Sequence, residues 1–385
     1  MTFSHLIWAG LRRRPVRSVL NGLAIAVAFL LFGMMHGVVA SLDTTIANLS
    51  DSRIHVVGRA SDAVRLPLAY RQRIESIKGV TTVTPIDWLG GYYQNNTQWF
   101  PILGTDLRAF LAAYPEIDLP EAQREALLAT RDGVTVGAKI AERFQLKLGD
   151  VLPMTSVVWT NADGTKNWPF RVVGIHNDEP GSDQVFADRA YFHFEYLAEA
   201  RIEEKGTTSR FIAAIDDASH LQDIGGRIDD AFANSSYETK SMSEKQFVAQ
   251  DVQRFGNLSL FVNSILGAVL FALMFMTSTT MIQSVRERIP EIGVLKSLGF
   301  TDGAVFRIVL AESVVLSLAA AGVGLALAGR VFPSVLEGIG VQSLPLPADI
   351  YLEGFGLAFV MALAVAAWPA WRARRLTIVE AIGGR

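Results

Sequence analysis

Residues capable of catalytic chemistry are present in this chain, but not at catalytic spacing. The six histidines, His5, His36, His55, His176, His193 and His220, include no His-Glu-x-x-His pair that would hold zinc on one helix face. No serine stands in the Gly-x-Ser-x-Gly turn that presents a nucleophile. His193 and Glu195 lie two residues apart and could share one face of a strand, but a solvated pair is the simpler reading than a metal site. Lysine never follows glycine, so a Gly-x-x-x-x-Gly-Lys-Ser/Thr phosphate loop is excluded. The sequence signals no catalytic residue, no metal ligand and no cofactor of its own.

A dense group of charges instead stands between two long apolar runs in one short stretch, SVRERIPEIGVLKSLGF, residues 284–300. Pro290 suits a first helical turn, Glu291 sits where the helix dipole is positive, Lys296 where it is negative, and Gly299 supplies a stop. This spacing predicts a helix of about two and a half turns. Ile292, Leu295 and Leu298 would form an apolar stripe, with Arg286, Arg288 and Lys296 offering charge. Two readings follow from the residues alone: a surface that docks another protein, or an interfacial hairpin whose basic residues only set topology.

The elements that position this stretch are membrane spans. Half of the 385 residues are hydrophobic and the formal net charge is −3, which gives no electrostatic case for nucleic acid. Residues 18–40, 255–284, 313–329 and 354–371 carry no charge, and each can cross a hydrocarbon core at about 1.5 Å per residue, the last two with their flanks. Arg12, Arg13, Arg14 and Arg17 precede the first span, Arg286, Arg288 and Lys296 follow the second, and Arg372, Arg374, Arg375 and Arg385 follow the fourth. The connector 331–349 has neither Lys nor Arg. The positive-inside rule therefore places both termini and the charged stretch in the cytoplasm. The expected order is an amphipathic interfacial helix over 1–17, on which Phe3, Leu6, Ile7 and Leu11 share a face, then span 1 (18–40) and an outer domain (41–254). Span 2 (255–284), the charged helix (285–303), span 3 (304–330), the outer connector (331–349), span 4 (350–371) and a cytoplasmic tail (372–385) complete it. A cleaved signal peptide is the alternative for span 1, but its 23 apolar residues exceed a typical signal core.

The outer segment reads as a mixed α+β domain in two lobes, the middle one inserted into the other. PLAYRQRIESIKGVTTVTPI gives a helix with Ile74 and Ile77 inward, a stop at Gly79 and a strand with Val80 and Val83. RFIAAIDDASHLQDIGGRIDDAF repeats the logic with a strand over 211–215 and a helix carrying Leu221, Ile224 and Ile228. Between them GVTVGAKIAERFQLKLGDVLPM gives strand, helix, turn and strand, and WPFRVVGIH a further strand. The chain has no cysteine, so this domain must be held by its core.

At this point the charged stretch becomes recognisable. Arg288-x-x-Glu291-Ile292-Gly293-x-Leu295-Lys296-Ser297-Leu298-Gly299 resembles the R-x-x-E-I-G-x-L-[KR]-A-L-G signature of FtsX/MacB-type permease subunits of ABC transporters, the type VII mechanotransmission family. VLAESVVLSLAAAGVG in span 3 resembles the family's glutamate-containing helix, and PAWRARRLTIVEAI its tail, with Ile378 in place of a proline. VGAKIAERFQLKLGD resembles part of the family's outer domain, and the order of spans also matches. The resemblance implies that the charged helix couples to a separate cytoplasmic ATPase, which alone binds ATP and Mg. It implies that Arg288, Glu291, Ile292, Gly293, Leu295, Lys296 and Gly299 form the docking site. A second permease subunit, a copy or a different chain, would complete eight spans in the bacterial inner membrane, with the large domain in the periplasm. Efflux with a periplasmic adaptor and outer-membrane channel is the leading output; release of lipoproteins or lipids is an alternative, and an ATPase-independent membrane scaffold is the alternative from another class. Glu312, about two turns inside span 3, is the candidate intramembrane coupling residue, because an ionised group there costs at least ~2.5 kcal/mol unless paired or wet. Arg307, five residues earlier, is the expected neighbour. Ala320, Gly324 and Ala328 form a row of small residues suited to close helix packing.

Overall fold

The computed structural model describes residues 15–178, 186–254, 258–338 and 345–375. The expected interfacial helix, apart from residues 15–17, lies outside these residues, as do Ile378 and Arg385. Two compact units form, one from Met1–Thr44 with Gln253–Arg385, the other from Thr45–Val252.

Among the described residues, in chain order, the first helix is α1 (Pro15–Asn48). The outer unit then contributes β1 (Arg53–Gly58), β2 (Leu66–Pro67), α2 (Tyr70–Glu75), β3 (Val80–Trp88), β4 (Gly91–Tyr93), β5 (Ile102–Thr105), α3 (Leu107–Ala113), β6 (Ile117–Asp118) and α4 (Glu121–Ala129). It continues through β7 (Gly133–Gly137), α5 (Ala138–Phe144), β8 (Val151–Ser156), β9 (Asn167–Asp178), β10 (Ala190–His193), α6 (Phe194–Ala200), β11 (Thr207–Thr208), β12 (Arg210–Ile215), α7 (Leu221–Phe232), β13 (Thr239–Ser243) and α8 (Glu244–Arg254). The described residues then include α9 (Leu258–Glu287), α10 (Ile289–Ser297), α11 (Asp302–Gly338) and α12 (Ala348–Arg375).

In the membrane unit, α1, α9, α11 and α12 are long and apolar enough to cross a bilayer. A helix satisfies its backbone hydrogen bonds internally, which is what a continuous apolar run in hydrocarbon requires. Helix α1 starts at Pro15, so Arg17 belongs to the spanning helix itself. Helix α11 continues through Pro333 to Gly338; proline is tolerated within membrane helices where neighbours and local adjustment satisfy the freed carbonyl. The small-residue row is the seam between α1 and α11. A Cβ on Gly324 would lie 2.2 Å from the carbonyl oxygen of Ala26, and one on Gly33 would lie 2.7 Å from the Ala328 methyl. Phe29, Phe32, Leu325, Phe332 and Met361 fill the core around that seam.

In the outer unit an eleven-stranded sheet runs in the order β13-β1-β12-β3-β5-β10-β7-β9-β8-β4, with β6 paired to β9 off this path. The sheet is mixed: β10 is parallel to β5 and β7 to β9, and the other pairs are antiparallel. Strands β3 and β12 pair directly although residues 89–209 intervene, so the middle lobe is an insertion between them. The two lobes share one sheet. Ile54, Val83, Phe211, Ile224 and Ile228 pack one lobe, and Val134, Leu152, Trp168, Phe170 and Phe192 the other. Where the chain returns from the insertion, fully buried Arg201 donates to Asp87 Oδ2 at 2.6 Å and to the carbonyls of Glu204 and Thr207. Arg65 donates to the same Asp87 oxygen at 2.5 Å, and both guanidiniums stack on Trp159.

A second buried ionic cluster lies where β1 and α8 begin. Arg53 Nε donates to Glu244 Oε2 at 2.6 Å and its Nη1 to Glu116 at 2.8 Å, while the Tyr114 hydroxyl donates to Glu244 Oε1 at 2.9 Å. Burial pushes the Glu244 carboxyl up, but neighbouring His55 and the Arg53 guanidinium more than offset it and hold its pKa at about 2. Elsewhere, burial brings His176 down to about 4; its Nε2–H donates to the Phe186 carbonyl at 3.1 Å while Nδ1 accepts from Thr135 at 2.9 Å.

Acid lability of the outer unit follows from these two groups. Unfolded His176 takes up a proton below about pH 6.5 while the folded residue stays neutral until about pH 4, so stability falls through that window by about 3 kcal/mol. Glu244 contributes stability above its unfolded value of 4.5 that is lost as pH falls toward about 2. Urea midpoints of residues 45–252 expressed alone should drop between about pH 7 and about pH 4.5, and His176→Asn should flatten that step. A flat wild-type profile would contradict the assignment.

Candidate functional site

Helix α10 forms where its residues place it. Arg288 is its N-cap residue, Pro290 lies in its first turn, and Glu291 and Lys296 sit at the dipole ends that favour them. At the other end Gly299 adopts φ +92°, its N–H bonds to the Lys296 carbonyl and the Phe300 N–H to that of Leu295. This is a Schellman stop, for which a Cβ-bearing residue is ill suited.

The apolar stripe expected from spacing divides in space. Ile292 is buried against Val285, Val305, Val309, Ala370 and Ala373, and Leu295 is half-buried. Leu298, expected on the same stripe, is 72% exposed, and Val294, which the stripe omitted, is 53% exposed. The correction has a geometric cause: α10 ends at Ser297, so Leu298 belongs to the turn, while Val294 is four residues away on the outer side. The helix thus presents Glu291, Val294 and Ser297 outward, with Leu298 exposed in the turn that follows and Ile292 and Gly293 buried.

Its charges are largely turned inward. Arg288 Nη1 donates to Glu312 Oε2 at 2.5 Å, joining the start of α10 to the first third of α11. The expected neighbour Arg307 instead donates to the Gly303 carbonyl of its own helix. It lies on the exposed side of α11, whereas Glu312 is buried. Lys296 Nζ reaches Asp302 Oδ1 at 2.7 Å and the Arg374 carbonyl at 2.8 Å, fixing the end of α10 to α11 and α12. Arg17 at the start of α1 grips Glu287 at the end of α9 with two hydrogen bonds of 3.0 and 3.2 Å. A cleft lined by Arg288, Glu291, Ile292, Leu295 and Glu312 gathers five of the eight candidate residues. Lys296 and Gly299 act at the far end of the helix.

Several contributors were missed from the sequence. Asp302 and Glu287 carry no motif that singles them out in the sequence. The recurrence Thr277, Thr280, Ser284 on α9 and Ser313, Ser317 on α11, at helical spacing within apolar runs, was the available signal for a polar interior. In the outer unit His193 Nε2 donates to the Leu127 carbonyl at 2.8 Å, and Glu195 is exposed at the start of α6; the two do not converge.

A family model described as MacB-like periplasmic core domain matches residues 22–231, more than half of the chain, and one described as FtsX-like permease C-terminal matches residues 263–378. The chain belongs to the FtsX/MacB family of ABC transporter permeases. It is 25% identical over 250 residues to YknZ of Bacillus subtilis (strain 168), described as an uncharacterized ABC transporter permease. That match spans 63% of this chain and 60% of the relative's length. Among solved structures, the extracellular domain of the noncanonic ABC-type transporter YknZ from Gram-positive bacteria is 13% identical, covering 50% of this chain and 100% of that one, with a TM-score of 0.36. The periplasmic region of MacB from Actinobacillus actinomycetemcomitans is 12% identical, covering 54% and 95%, with a TM-score of 0.38.

Proposed function

We propose that this permease docks a separate cytoplasmic ATPase through α10 and passes the motion of that motor to its outer domain, driving export from the bacterial inner membrane. The observation that carries the reading is the mounting of α10. The helix is tied to α11 at both ends, through Arg288–Glu312 and Lys296–Asp302, yet leaves Val294 and Leu298 uncovered. A short rigid lever between two spans, with an open apolar face, can convert closure of a partner into displacement of the spans. ATP and Mg are bound by the partner. A second permease subunit completes the bundle, and a periplasmic adaptor with an outer-membrane channel is the export route most consistent with a large outer domain.

The reading requires α10 and the outer unit on opposite sides of the membrane. The chain has no cysteine, so single cysteines report cleanly. In intact spheroplasts an impermeant thiol reagent should label Ser61→Cys, an exposed site in the outer unit, and reach Ser297→Cys only after permeabilisation. Labelling of Ser297→Cys in intact cells would place α10 away from any cytoplasmic motor and end the proposal.

A further inference from the structure

The membrane unit contains a polar cavity beside the cleft under α10, with Glu312 lining both. Asn21 of α1, Thr277 and Ser284 of α9, and Glu312, Ser313 and Ser317 of α11 line it. All but Ser284 are buried, in helices that are otherwise apolar. Hydroxyls in membrane helices usually bond back to their own backbone, as Thr279 and Thr280 do to the Met276 carbonyl at 2.9 and 2.8 Å. The buried Thr277 hydroxyl departs from this pattern: the residue lines the cavity and its Oγ1 has no hydrogen-bond partner. A buried hydroxyl left unpaired in hydrocarbon is unfavourable, so its position calls for a small polar ligand.

We propose that this cavity binds water within the spans, continuous with the cleft beneath α10. It encloses about 50 Å³, against the roughly 10–15 Å³ that one water requires, so a few molecules fit and a larger solute does not. The cleft beneath α10 shares Met281, Ser284 and Glu312 with it and opens past exposed Glu291. A path for water therefore runs from the α10 surface to mid-span. Water is favoured over a metal cation because the Arg288 guanidinium already occupies one oxygen of Glu312 and would repel a second positive charge. Bound water also allows Glu312 to lengthen or change its hydrogen bonds without being stranded in hydrocarbon.

Thiol chemistry tests this, because only the thiolate reacts with methanethiosulfonates and a thiolate forms only where water reaches it. Full-length chains carrying Thr277→Cys or Ser317→Cys are compared with Phe275→Cys and Val315→Cys, which lie two residues away on the same helices and face outward. Open membrane fragments are used, so 2-aminoethyl methanethiosulfonate meets both faces. The cavity cysteines should react at least about tenfold faster than the outward ones. Should Thr277→Cys fail to insert, Ser317→Cys carries the comparison from the opposite wall. Equal rates at cavity and outward positions, or slower reaction in the cavity, would overturn the proposal.

Discussion

Glu312→Ala is expected to destabilise the membrane unit severely and to abolish ATPase-coupled activity. The substitution removes the carboxylate partner of Arg288, whose side chain is mostly enclosed between α9, α10 and α11. Breaking a buried ion pair from one side costs about 3–5 kcal/mol, mainly because the remaining charge is left without compensation. Arg288→Ala should cost less, since Glu312 can take up a proton while a guanidinium stays charged. The exchange Arg288→Glu with Glu312→Arg should recover part of the loss, which a merely steric role would not predict. Thermal unfolding of the detergent-purified protein, followed by size-exclusion chromatography, reads the stability component. Wild-type unfolding in Glu312→Ala would show that the pair does not hold α10 against α11.

How much of this was legible in the sequence depends on the range over which each residue acts. The spans and α10 were legible because apolar length, Pro290 and Gly299 act locally, and the outer strands around Val80, Val134 and Phe211 announced themselves by pattern. The single sheet shared by both lobes was not, because β5 pairs with β10 across more than eighty residues and no local spacing encodes that register. The partner of Glu312 was misread for a related reason. Arg307 is nearer in sequence, but five residues along a helix turn it to another face, whereas the turn before α10 brings Arg288 within hydrogen-bond reach of the carboxylate. The buried cluster of Arg53, Glu244 and Tyr114 joins residues up to 191 positions apart and left no motif at all.

The same geometry alters which substitutions probe docking. Reversing Glu291 and Lys296 would address charge on α10, but Lys296 is committed to Asp302 and the Arg374 carbonyl, so its reversal damages the mounting of the helix as well as any interface. Val294 and Leu298 are better probes. They are exposed, four residues apart, and contribute little to the core beneath α10. If they seat in a partner, placing a carboxylate at each removes an apolar anchor worth about 2 kcal/mol and buries an unpaired charge, so the pair of changes should weaken docking by about a thousandfold. An interfacial hairpin that only satisfies the positive-inside rule would tolerate both changes, because acidic residues contribute little to that rule. The decisive measurement is co-purification of the cognate ATPase with the Val294→Asp, Leu298→Asp double variant, at matched membrane insertion. Docking through α10 predicts that the ATPase is lost from the complex while the permease remains folded; retention of the ATPase at the wild-type ratio would contradict it.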